Sequence, residues 1–497
     1  MPSFHSPGFR AYVLNAMQAL RVPGLSLAVI KNDEVIYAGG FGARDTATAA
    51  PVDEHTTFAI ASISKSFTAT ALAMLVDAGQ VRWDDRVSEY LPGFRLMDDF
   101  ATREMRVRDL LIHNSGLGSV SGGTIWYGSD LDRGEVVRRL RYLPPRAGFR
   151  SQYAYQNVMY LVAGQIIPAV IGQSWDDFVQ QRIFAPLGMA DSAPNLARAW
   201  QHENMATPHA PLPFGSSGPM EAVPYRDHDN VGPAASLHAS CWDLAQYLRL
   251  HLGRGSFAGG QLISAVNAGA LHSAHMAIEN GQPALALAGL TPRFSAYALG
   301  WRLQEYRGRK IVQHSGGVDG MRTLVTMIPE HELGVVVLTN AEAPLTHALT
   351  YHALDMLLGV DDPNLDWVKL FAQIEGEYAR AEDAEDAARE SARVAGTQPA
   401  LPHDALAGRY RSPLVDAVQV TADGGHLSLC FAHTPAFTAD LEHWHYNTFR
   451  LHWRDPYIPW GLVTFRQDAR GRVSALEFDQ PSLLDVDFTE LGLLHRE

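Results

Sequence analysis

The chain has 497 residues, of which 46% are hydrophobic and 19% are charged. A chain of this length exceeds a usual single domain, and its apolar fraction is sufficient for complete cores, so two globular domains are expected. The formal net charge of −14 and the pI near 5.8 argue against nucleic acid or an anionic membrane as a partner.

The N-terminal residues do not resemble a targeting segment. Residues 1–18 lack the charged start and the apolar stretch of a signal peptide, and no apolar run is long enough to cross a bilayer. A cytoplasmic enzyme is therefore expected. The two cysteines, Cys241 and Cys430, fall in different predicted domains, so no disulfide framework is expected, and Cys241 is predicted to pack in a core.

The predicted elements begin with a helix over residues 9–20, followed by strands over 25–30 and 34–40 with a turn between them. A helical, loop-rich middle follows. Strands return late, over residues 310–313, 323–328 and 334–339. An antiparallel sheet built from the first and last segments, flanked by helices, would leave the middle as a helical lobe. This is an α/β (α+β) fold with Ser62 between the lobes.

Ser62 and Lys65 form the only S-x-x-K sequence in the chain, and they precede a run of good helix formers over 67–76. Side chains three positions apart share a helix face, so the two should project together from the first turn. A serine hydroxyl needs a base to become a nucleophile, and a lysine becomes one when apolar surroundings lower its pKa. The structural alternative is an N-capping serine followed by a surface lysine.

Tyr155 and Asn157 form the only Y-x-N sequence, after a loop rich in proline and glycine. In an extended loop, residues i and i+2 point the same way, so the phenol and the amide can enter one cleft. The phenol could relay a proton to a leaving group, and the amide could orient the lysine or a substrate carbonyl. The alternative for Tyr155 is a half-buried aromatic residue that precedes a helix.

A third candidate segment follows the predicted strand 310–313 and consists of His314, Ser315, Gly316 and Gly317. Two glycines at a strand edge allow a substrate backbone to approach closely. The N–H of Gly317 could then complete an oxyanion hole with the N–H of Ser62. The alternative is a glycine bulge or a turn into the next hairpin.

These three segments, in this order, resemble the motifs of the penicillin-recognising serine hydrolases. That family includes class C β-lactamases, D-Ala-D-Ala carboxypeptidases, D-aminopeptidases and related esterases. Members carry S-x-x-K, then Y-x-N, then K-T-G or a variant such as H-x-G. The resemblance covers about residues 10–360 and implies a serine β-lactamase-like fold. It also implies that Ser62 is the nucleophile, Lys65 the base, Tyr155 the proton shuttle and Asn157 the positioning amide.

One departure from the family pattern bears on the substrate. Penicillin-cleaving members usually have a lysine where this chain has His314, and that permanent cation helps to bind a carboxylate. A histidine with an unperturbed pKa of about 6.5 is mostly neutral at pH 7. The sequence therefore favours a peptidase or esterase whose substrate lacks a carboxylate at that point, or whose carboxylate is bound by another group.

The first functional expectation is an acyl-enzyme serine hydrolase that cleaves amide bonds of small peptides, with D-residue selectivity as in related peptidases. Carboxylesterase or β-lactamase activity at the same residues is the alternative. An alternative from another class is a penicillin-binding-type sensor that acylates without turnover. Leaving groups discriminate the first two, because amides require a protonated amine whereas activated esters do not. A small peptide, amide or ester is the expected partner, with no metal, cofactor, nucleic acid or membrane.

The C-terminal part has a different sequence pattern. Residues 1–362 are expected to form the catalytic domain, 363–400 a helical linker and 401–497 a second domain. From residue 406 onward, short strands alternate with turns at the spacing of a small barrel. The predicted strands cover residues 408–410, 415–420, 426–432, 448–453, 462–467 and 473–478. This part resembles the lipocalin-like domain attached to some members of the same family, and homo-oligomer formation through it is a further expectation.

Two features of the second domain leave alternatives open. The aromatic loop over residues 453–460 could cap the catalytic cleft or bind a neighbour, or its side chains could plug the barrel mouth. Of these alternatives, plugging is slightly favoured. His443 and His445 could share a strand face, but they have no third ligand at a suitable spacing, so a metal site is not favoured.

Overall fold

An antiparallel sheet organises the first part of the computed structural model, which describes residues 3–212, 218, 220–279, 283–360, 362–483 and 485–497. Within those residues its nine strands are, in spatial order, Met276–Ala277, Ser295–Tyr297, Arg302–Tyr306, Arg309–Val318, Met321–Ile328, Leu333–Thr339, Gly24–Lys31, Glu34–Asp45 and Ala50–Pro51. The first long strand therefore pairs with the last one. This confirms the predicted antiparallel sheet built from the two ends of the domain.

Helices cover both faces of this sheet. Strand Gly24–Lys31 is buried along nearly its whole length, which explains its continuous apolar sequence. Helices Pro7–Ala19 and Leu345–Leu358 pack on one face, and helices Ser64–Asp77 and Cys241–Leu252 lie on the other. The second pair separates the sheet from the helical lobe, so the residues that follow Ala59 lie between sheet and lobe.

The remaining long helices are Val158–Ile171 in the lobe and Trp367–Ser391 after the sheet. The short helical segments are Ala61–Ile63, Val87–Tyr90, Asp99–Glu104, Val107–Leu111, Gly123–Trp126, Arg133–Arg139, Leu140–Tyr142, Trp175–Val179, Gln180–Phe184, Ala185–Leu187, Leu196–Ala199, Asp229–Val231, Gly232–Ala235, Ala265–Leu271, Pro283–Leu287, Pro329–His331, His403–Leu406 and Phe488–Leu491. Short paired strands are Phe58–Ala59 with His238–Ala239, His209–Pro211 with Met220–Ala222, and Ser256–Phe257 with Gly260–Gln261. Among the described residues no single helix could span a membrane, although the bent pair Val158–Ile171 and Trp175–Leu187 passes by length and composition.

The C-terminal part is a closed barrel, as the spacing of its predicted short strands and turns indicates. In the described residues it has eight strands: Gly408–Ser412, Asp416–Asp423, His426–Phe431, Thr434–His445, Thr448–Trp453, Gly461–Gln467, Val473–Asp479 and Leu494–Arg496. Two of them are absent from the prediction. Thr434–His445 is rich in polar residues and contains a proline, and Leu494–Arg496 has only three residues, so neither has a clear strand pattern.

Helix Trp367–Ser391 connects the two parts and ends against the barrel wall. One arginine in its last turn and one just after its end lie over tryptophan rings: Arg389 is 4.8 Å from the Trp460 centroid, and Arg393 is 4.8 Å from the Trp444 centroid. Such cation–π contacts attach the end of the helix to the barrel.

One of the predicted alternatives for the aromatic loop over residues 453–460 is confirmed, and the loop also makes a contact that the sequence does not predict. The Trp453 indole is buried inside the barrel and donates to Gln480 Oε1 at 2.9 Å, which is the plugging role. Tyr457 instead donates to Glu342, which lies beyond the barrel in the sheet domain. The loop therefore seals the barrel and also contacts its own catalytic domain.

Cys241 is fully buried in the core, as predicted. In the described part of the chain, no group of three or more His, Cys, Asp or Glu residues is arranged to hold a metal ion. His443 lies 3.0 Å from the Tyr446 carbonyl, and His445 accepts from the Val394 N–H at 3.3 Å. These two histidines are therefore hydrogen-bonded to the chain.

Candidate active site

Ser62 lies in a tight turn, Ala61–Ile63, directly before the helix Ser64–Asp77. The sequence predicts Ser62 in the first turn of this helix, whereas the structure places it before the helix. The N-cap position belongs to Ile63, which makes no side-chain capping bond, so the alternative of an N-capping Ser62 is wrong. Ala61 has φ = +49°, a strained conformation for a residue with a side chain. The turn presents Ser62 to a cleft and places Lys65 behind it.

Lys65 is fully buried, and its Nζ lies 2.8 Å from Ser62 Oγ. Nζ also donates to Asn157 Oδ1 at 2.6 Å and to the Ala234 carbonyl at 3.0 Å. Burial lowers the pKa of Lys65 to about 7, while the negative charge of Asp485 acts in the opposite direction. A large fraction of Lys65 is therefore neutral near pH 7 and able to take the Ser62 proton.

Tyr155 contacts the same hydroxyl. Its phenol is hydrogen-bonded to Ser62, and burial raises the pKa of Tyr155 well above its usual value despite that bond. The phenol therefore keeps its proton and is suited to donate it. Asn157 precedes helix Val158–Ile171 and presents its amide oxygen to Lys65. The structure thus brings both Y-x-N side chains to the Ser62 and Lys65 pair.

The H-S-G-G segment lies inside strand Arg309–Val318, not beyond the end of the strand as predicted. Gly316 serves packing, because a Cβ there would lie 2.2 Å from the Ile60 carbonyl oxygen, next to the turn that carries Ser62. Ser315 and Gly317 line the cleft. The strand therefore packs directly against the nucleophile turn, with the backbone of Gly317 facing the same space as Ser62.

His314 is held neutral. Its Nδ1 is 2.7 Å from the Ser315 carbonyl, which can only accept, so Nδ1 carries the proton. Nε2 is then the acceptor for the Tyr297 hydroxyl at 2.7 Å. Burial is the largest cause that lowers the pKa of His314, to about 3. The site thus has no cation at the position where penicillin-cleaving members usually carry a lysine.

A cleft of about 340 Å³ contains these groups. Its lining residues are Ser62, Val120, Tyr153, Tyr155, Tyr297, Arg302, Gln313, His314, Ser315, Gly317, Leu324, His347 and Asp485. Small-molecule sites of this kind combine apolar walls with a few polar groups that fix the ligand. The cleft is thus large enough for a small substrate beside Ser62.

A family model described as Beta-lactamase matches residues 9–358, which is most of the chain and contains every motif of the site. The chain belongs to the β-lactamase family. Hydrolases of this family act on small amide and ester substrates. A second model, described only as a domain of unknown function, matches residues 392–493 and so covers the barrel.

Individual relatives agree with the family assignment. The unguisins hydrolase ungD of Aspergillus violaceofuscus is 29% identical over 389 residues, which are 74% of this chain and 67% of that protein. The octameric penicillin-binding protein homologue of Pyrococcus abyssi superposes with a TM-score of 0.61 at 21% identity, covering 95% of this chain and 98% of that one. SurE solved with D-Leu has a TM-score of 0.56 at 19% identity and covers 99% of both chains. These two structures share the fold.

Asp485 is a site residue that sequence reasoning missed, and it comes from the barrel domain. Its Oδ1 accepts from Asn157 Nδ2 at 2.9 Å, and the residue lines the cleft beside Ser62. Burial raises the pKa of Asp485, and the nearby Lys65 charge opposes that shift. Ser62, Lys65, Asn157 and Asp485 therefore form one hydrogen-bonded chain that crosses the domain boundary. An aspartate in a loop of another domain carries no sequence signal for this position.

The loop that carries Asp485 is anchored a few residues later. Glu490 accepts from the Gly122 N–H at 2.7 Å and the Thr124 N–H at 3.1 Å, and also from the Thr124 hydroxyl. Gly123 lies between them, and a Cβ there would lie 1.9 Å from the Asp485 carbonyl oxygen. The Asp485 loop thus approaches the lobe as closely as two backbones allow.

His113 is a second site residue that lies outside the three predicted motifs. Its Nδ1 accepts from the Gln156 N–H at 3.0 Å, and its ring lies 4.4 Å from Tyr155 and 4.5 Å from Tyr297, centroid to centroid. Burial holds the pKa of His113 well below its usual value, so the ring stays neutral. His113 thereby positions the loop that presents the Tyr155 phenol.

Because Lys65 must be neutral to act as the base, kcat/KM for an uncharged activated ester should rise with pH through about 7. Asp485→Asn removes a charge that raises the lysine pKa, so this rise should move to lower pH, by up to about one unit. The check is a pH–rate profile with p-nitrophenyl acetate, with Asp479→Asn on the exposed barrel surface as the matched control. A flat profile, or a shift to higher pH in Asp485→Asn, would contradict this assignment.

Gly123→Ala should displace the Asp485 loop, because the new methyl group has no room beside the loop backbone. We expect kcat/KM to fall by roughly 10- to 100-fold, the usual effect of a misplacement near 1 Å in a catalytic site. The matched control is Gly269→Ala, since a Cβ at that helical position meets no atom within 4 Å. Equal kcat/KM in Gly123→Ala and wild type would show that the loop contact is not needed.

Proposed function

We propose that the protein is a peptidase that hydrolyses amide bonds of small peptides through an acyl-enzyme on Ser62. One observation carries the proposal: the Ser62 hydroxyl has a partly neutral lysine 2.8 Å away and a protonated phenol hydrogen-bonded to it. A base and an acid on one nucleophile are what amide cleavage requires, because the amine must leave protonated.

The proposed reaction runs in two halves. Ser62 Oγ attacks the substrate carbonyl as its proton passes to Lys65, and the N–H groups of Ser62 and Gly317 stabilise the oxyanion. Tyr155 then gives its proton to the leaving amine and is reprotonated from Lys65. In the second half, a water molecule attacks the acyl carbon and gives its proton to Lys65. The bond from the acyl carbon to Ser62 Oγ then breaks, Oγ takes that proton back from Lys65, and the carboxylic acid is released.

Asp485 supports a substrate with a free α-amino group. In an α-aminoacyl group the nitrogen lies about 2.5 Å from the carbonyl carbon, so the ammonium must sit close to Ser62. Asp485 lines the cleft beside Ser62 and shares Asn157 with Lys65. Its carboxylate is thus placed to bind an ammonium on the acyl side, which favours aminopeptidase-type cleavage. The solved SurE complex with D-Leu supports selectivity for D-residues as part of this proposal.

Ser62→Ala should abolish covalent labelling by a fluorophosphonate and lower peptide turnover by more than about 10³-fold, because no other group replaces the nucleophile.

Tyr155→Phe should impair cleavage of an aminoacyl amide at least tenfold more than cleavage of the matching activated ester. Intact-mass spectrometry and kcat/KM measure these effects, with Ser273→Ala as the surface-serine control.

Turnover by Ser62→Ala would overturn the nucleophile assignment. Equal losses on amide and ester in Tyr155→Phe would remove its role as the acid and favour the esterase alternative. A stable substrate adduct on wild type, without product release, would favour the sensor alternative.

Asp485→Asn should lower kcat/KM at least tenfold for leucine p-nitroanilide with a free amine, relative to the N-acetylated analogue. Both stereoisomers are compared at pH 7.0. Taking the ratio of the two substrates within each enzyme cancels any change in Lys65. Asp479→Asn is again the control, and an unchanged ratio in Asp485→Asn would show that the carboxylate does not bind the amine.

Self-association through the barrel domain is also part of this proposal. The Pyrococcus abyssi homologue, which covers nearly the whole chain, is octameric. Light scattering on the purified chain measures the assembly directly, and a monomer at all concentrations would refute it. A cytoplasmic location stays a prediction from the sequence.

A further inference from the structure

The turn that follows the H-S-G-G segment is held by both domains. Strands Arg309–Val318 and Met321–Ile328 form a hairpin with Asp319 and Gly320 between them. Gly317 lies next to the last residue pair of this hairpin. The register of a hairpin is set by its turn, so a movement of the turn also moves the Gly317 N–H.

The Asp319 carboxylate is buried inside the domain junction. Its Oδ2 accepts from Arg226 Nε at 2.6 Å and from the Tyr127 hydroxyl at 2.8 Å. The Arg226 guanidinium also lies 4.5 Å from the centroid of the Tyr127 ring, so the three side chains form one cluster. Removing one partner of a buried ion pair is costly, and this cost keeps the Asp319 side chain in place.

Both groups that hold this carboxylate are contacted by the barrel. Arg226 Nη2 donates to Asp455 Oδ2 at 2.9 Å, and Asp455 belongs to the aromatic loop over residues 453–460. The Tyr127 ring stacks on Phe437 of the barrel at 5.9 Å between centroids. One guanidinium thus joins a carboxylate of the barrel to the carboxylate in the turn.

A second set of contacts reaches the backbone of the same turn. Glu342 accepts from the Gly320 N–H at 3.1 Å and from Arg322 Nη2 at 2.6 Å. Arg322 Nη1 also donates to the two carbonyls that flank the turn, at 3.3 and 3.1 Å. Tyr457 of the aromatic loop donates to Glu342. The aromatic loop therefore holds both the side-chain carboxylate and the backbone of the turn.

The barrel thus reaches the site along two separate routes. Asp485 bears on the base, because its charge raises the pKa of Lys65. Asp455 bears instead on the turn after Gly317, through Arg226. The two routes should therefore be distinguishable by what each one changes in the reaction.

We propose that Asp455 and Arg226 are positioning residues that fix the Gly317 N–H in the oxyanion hole. This inference rests on the proposed function for the role of that N–H. Without the Asp455 contact the turn relaxes, and one of the two oxyanion donors loses its alignment. Such a donor acts mainly on the transition state, so its misalignment lowers kcat and leaves KM nearly unchanged.

The first test is Asp455→Ala, which leaves Arg226 paired with Asp319 and so strands no buried charge. We expect kcat for p-nitrophenyl acetate to fall by about 10- to 100-fold, with KM changed by less than about threefold. The rise of the rate with pH should stay near pH 7, because Lys65 is not altered. The matched control is Asp440→Ala, which removes an exposed barrel carboxylate paired with Arg454 and should behave as wild type.

A thiono ester separates the oxyanion hole from a general loss of structure. Sulfur in place of the carbonyl oxygen is a weak acceptor, so the oxyanion donors help this substrate less. Wild type should prefer the oxo ester, and Asp455→Ala should reduce that preference at least about fivefold. Displacement of Ser62 or Lys65 would instead lower both rates together.

Tyr457→Phe supplies a second variant, because it removes the hydrogen bond to Glu342. It should reduce the oxo preference in the same direction. Thermal unfolding shows whether each variant is folded, and Tyr457→Phe is decisive if Asp455→Ala is not. Wild-type kinetics in the folded variants would overturn the proposal, and so would equal losses on the two esters.

The outcomes also separate this inference from the proposed function. If esters are cleaved and peptides are not, the peptidase proposal fails, and the ester ratio still tests the Asp455 contact. If neither is turned over, the rate of fluorophosphonate labelling at Ser62 replaces kcat, since the phosphoryl oxygen enters the same hole. Asp455→Ala should then label at least about tenfold more slowly than Asp440→Ala, and equal rates would overturn the proposal.

Discussion

The buried Lys65 amine is the group on which the rest of the site depends. Removing an ammonium from water is costly, and the described residues compensate with two acceptors close to Nζ besides Ser62, the Asn157 amide oxygen and the Ala234 carbonyl. Because the compensation is incomplete, the lysine pKa falls to about 7. This lowered pKa is what suits an ordinary lysine to the proposed role of base.

This environment is assembled from both domains. The lobe supplies Asn157, the helix after Ser62 supplies Lys65, and the barrel supplies Asp485. The barrel thus does more than attach to the catalytic domain, since its loop carries a charge that influences the lysine. Glu490 accepts two backbone N–H bonds from the lobe and so holds that loop against the catalytic domain. The protonation of Lys65 therefore depends on the contact between the barrel and the catalytic domain.

Much of the catalytic domain could be predicted because its information is local. The spacing of Ser62 and Lys65 brings the two side chains together whether the segment forms a tight turn or the first turn of a helix. The buried central strands have continuous apolar sequences that are easy to recognise. The sequence also shows a histidine at position 314, where penicillin-cleaving members usually carry a lysine. It does not show that the Ser315 carbonyl selects the tautomer of His314.

What could not be predicted depends on contacts between distant parts of the chain. Asp485 is 328 positions from Asn157, and Gly123 matters only because another backbone comes to lie against it. Gly316 was predicted to admit a substrate, but the space beside it is filled by the turn that holds Ser62. The strand Thr434–His445 is not among the predicted strands because its pairing with two neighbouring strands, and not its composition, makes it a strand.

The central claim is that Lys65 is a base with a pKa near 7, and NMR titration tests it most directly. The chain has four lysines, Lys31, Lys65, Lys310 and Lys369, so a protein labelled with ¹³C at lysine Cε has few signals to resolve. We expect one signal to titrate near pH 7 in wild type and to be missing in Lys65→Arg. Four signals that all titrate near the ordinary lysine value of about 10.4 would contradict the account.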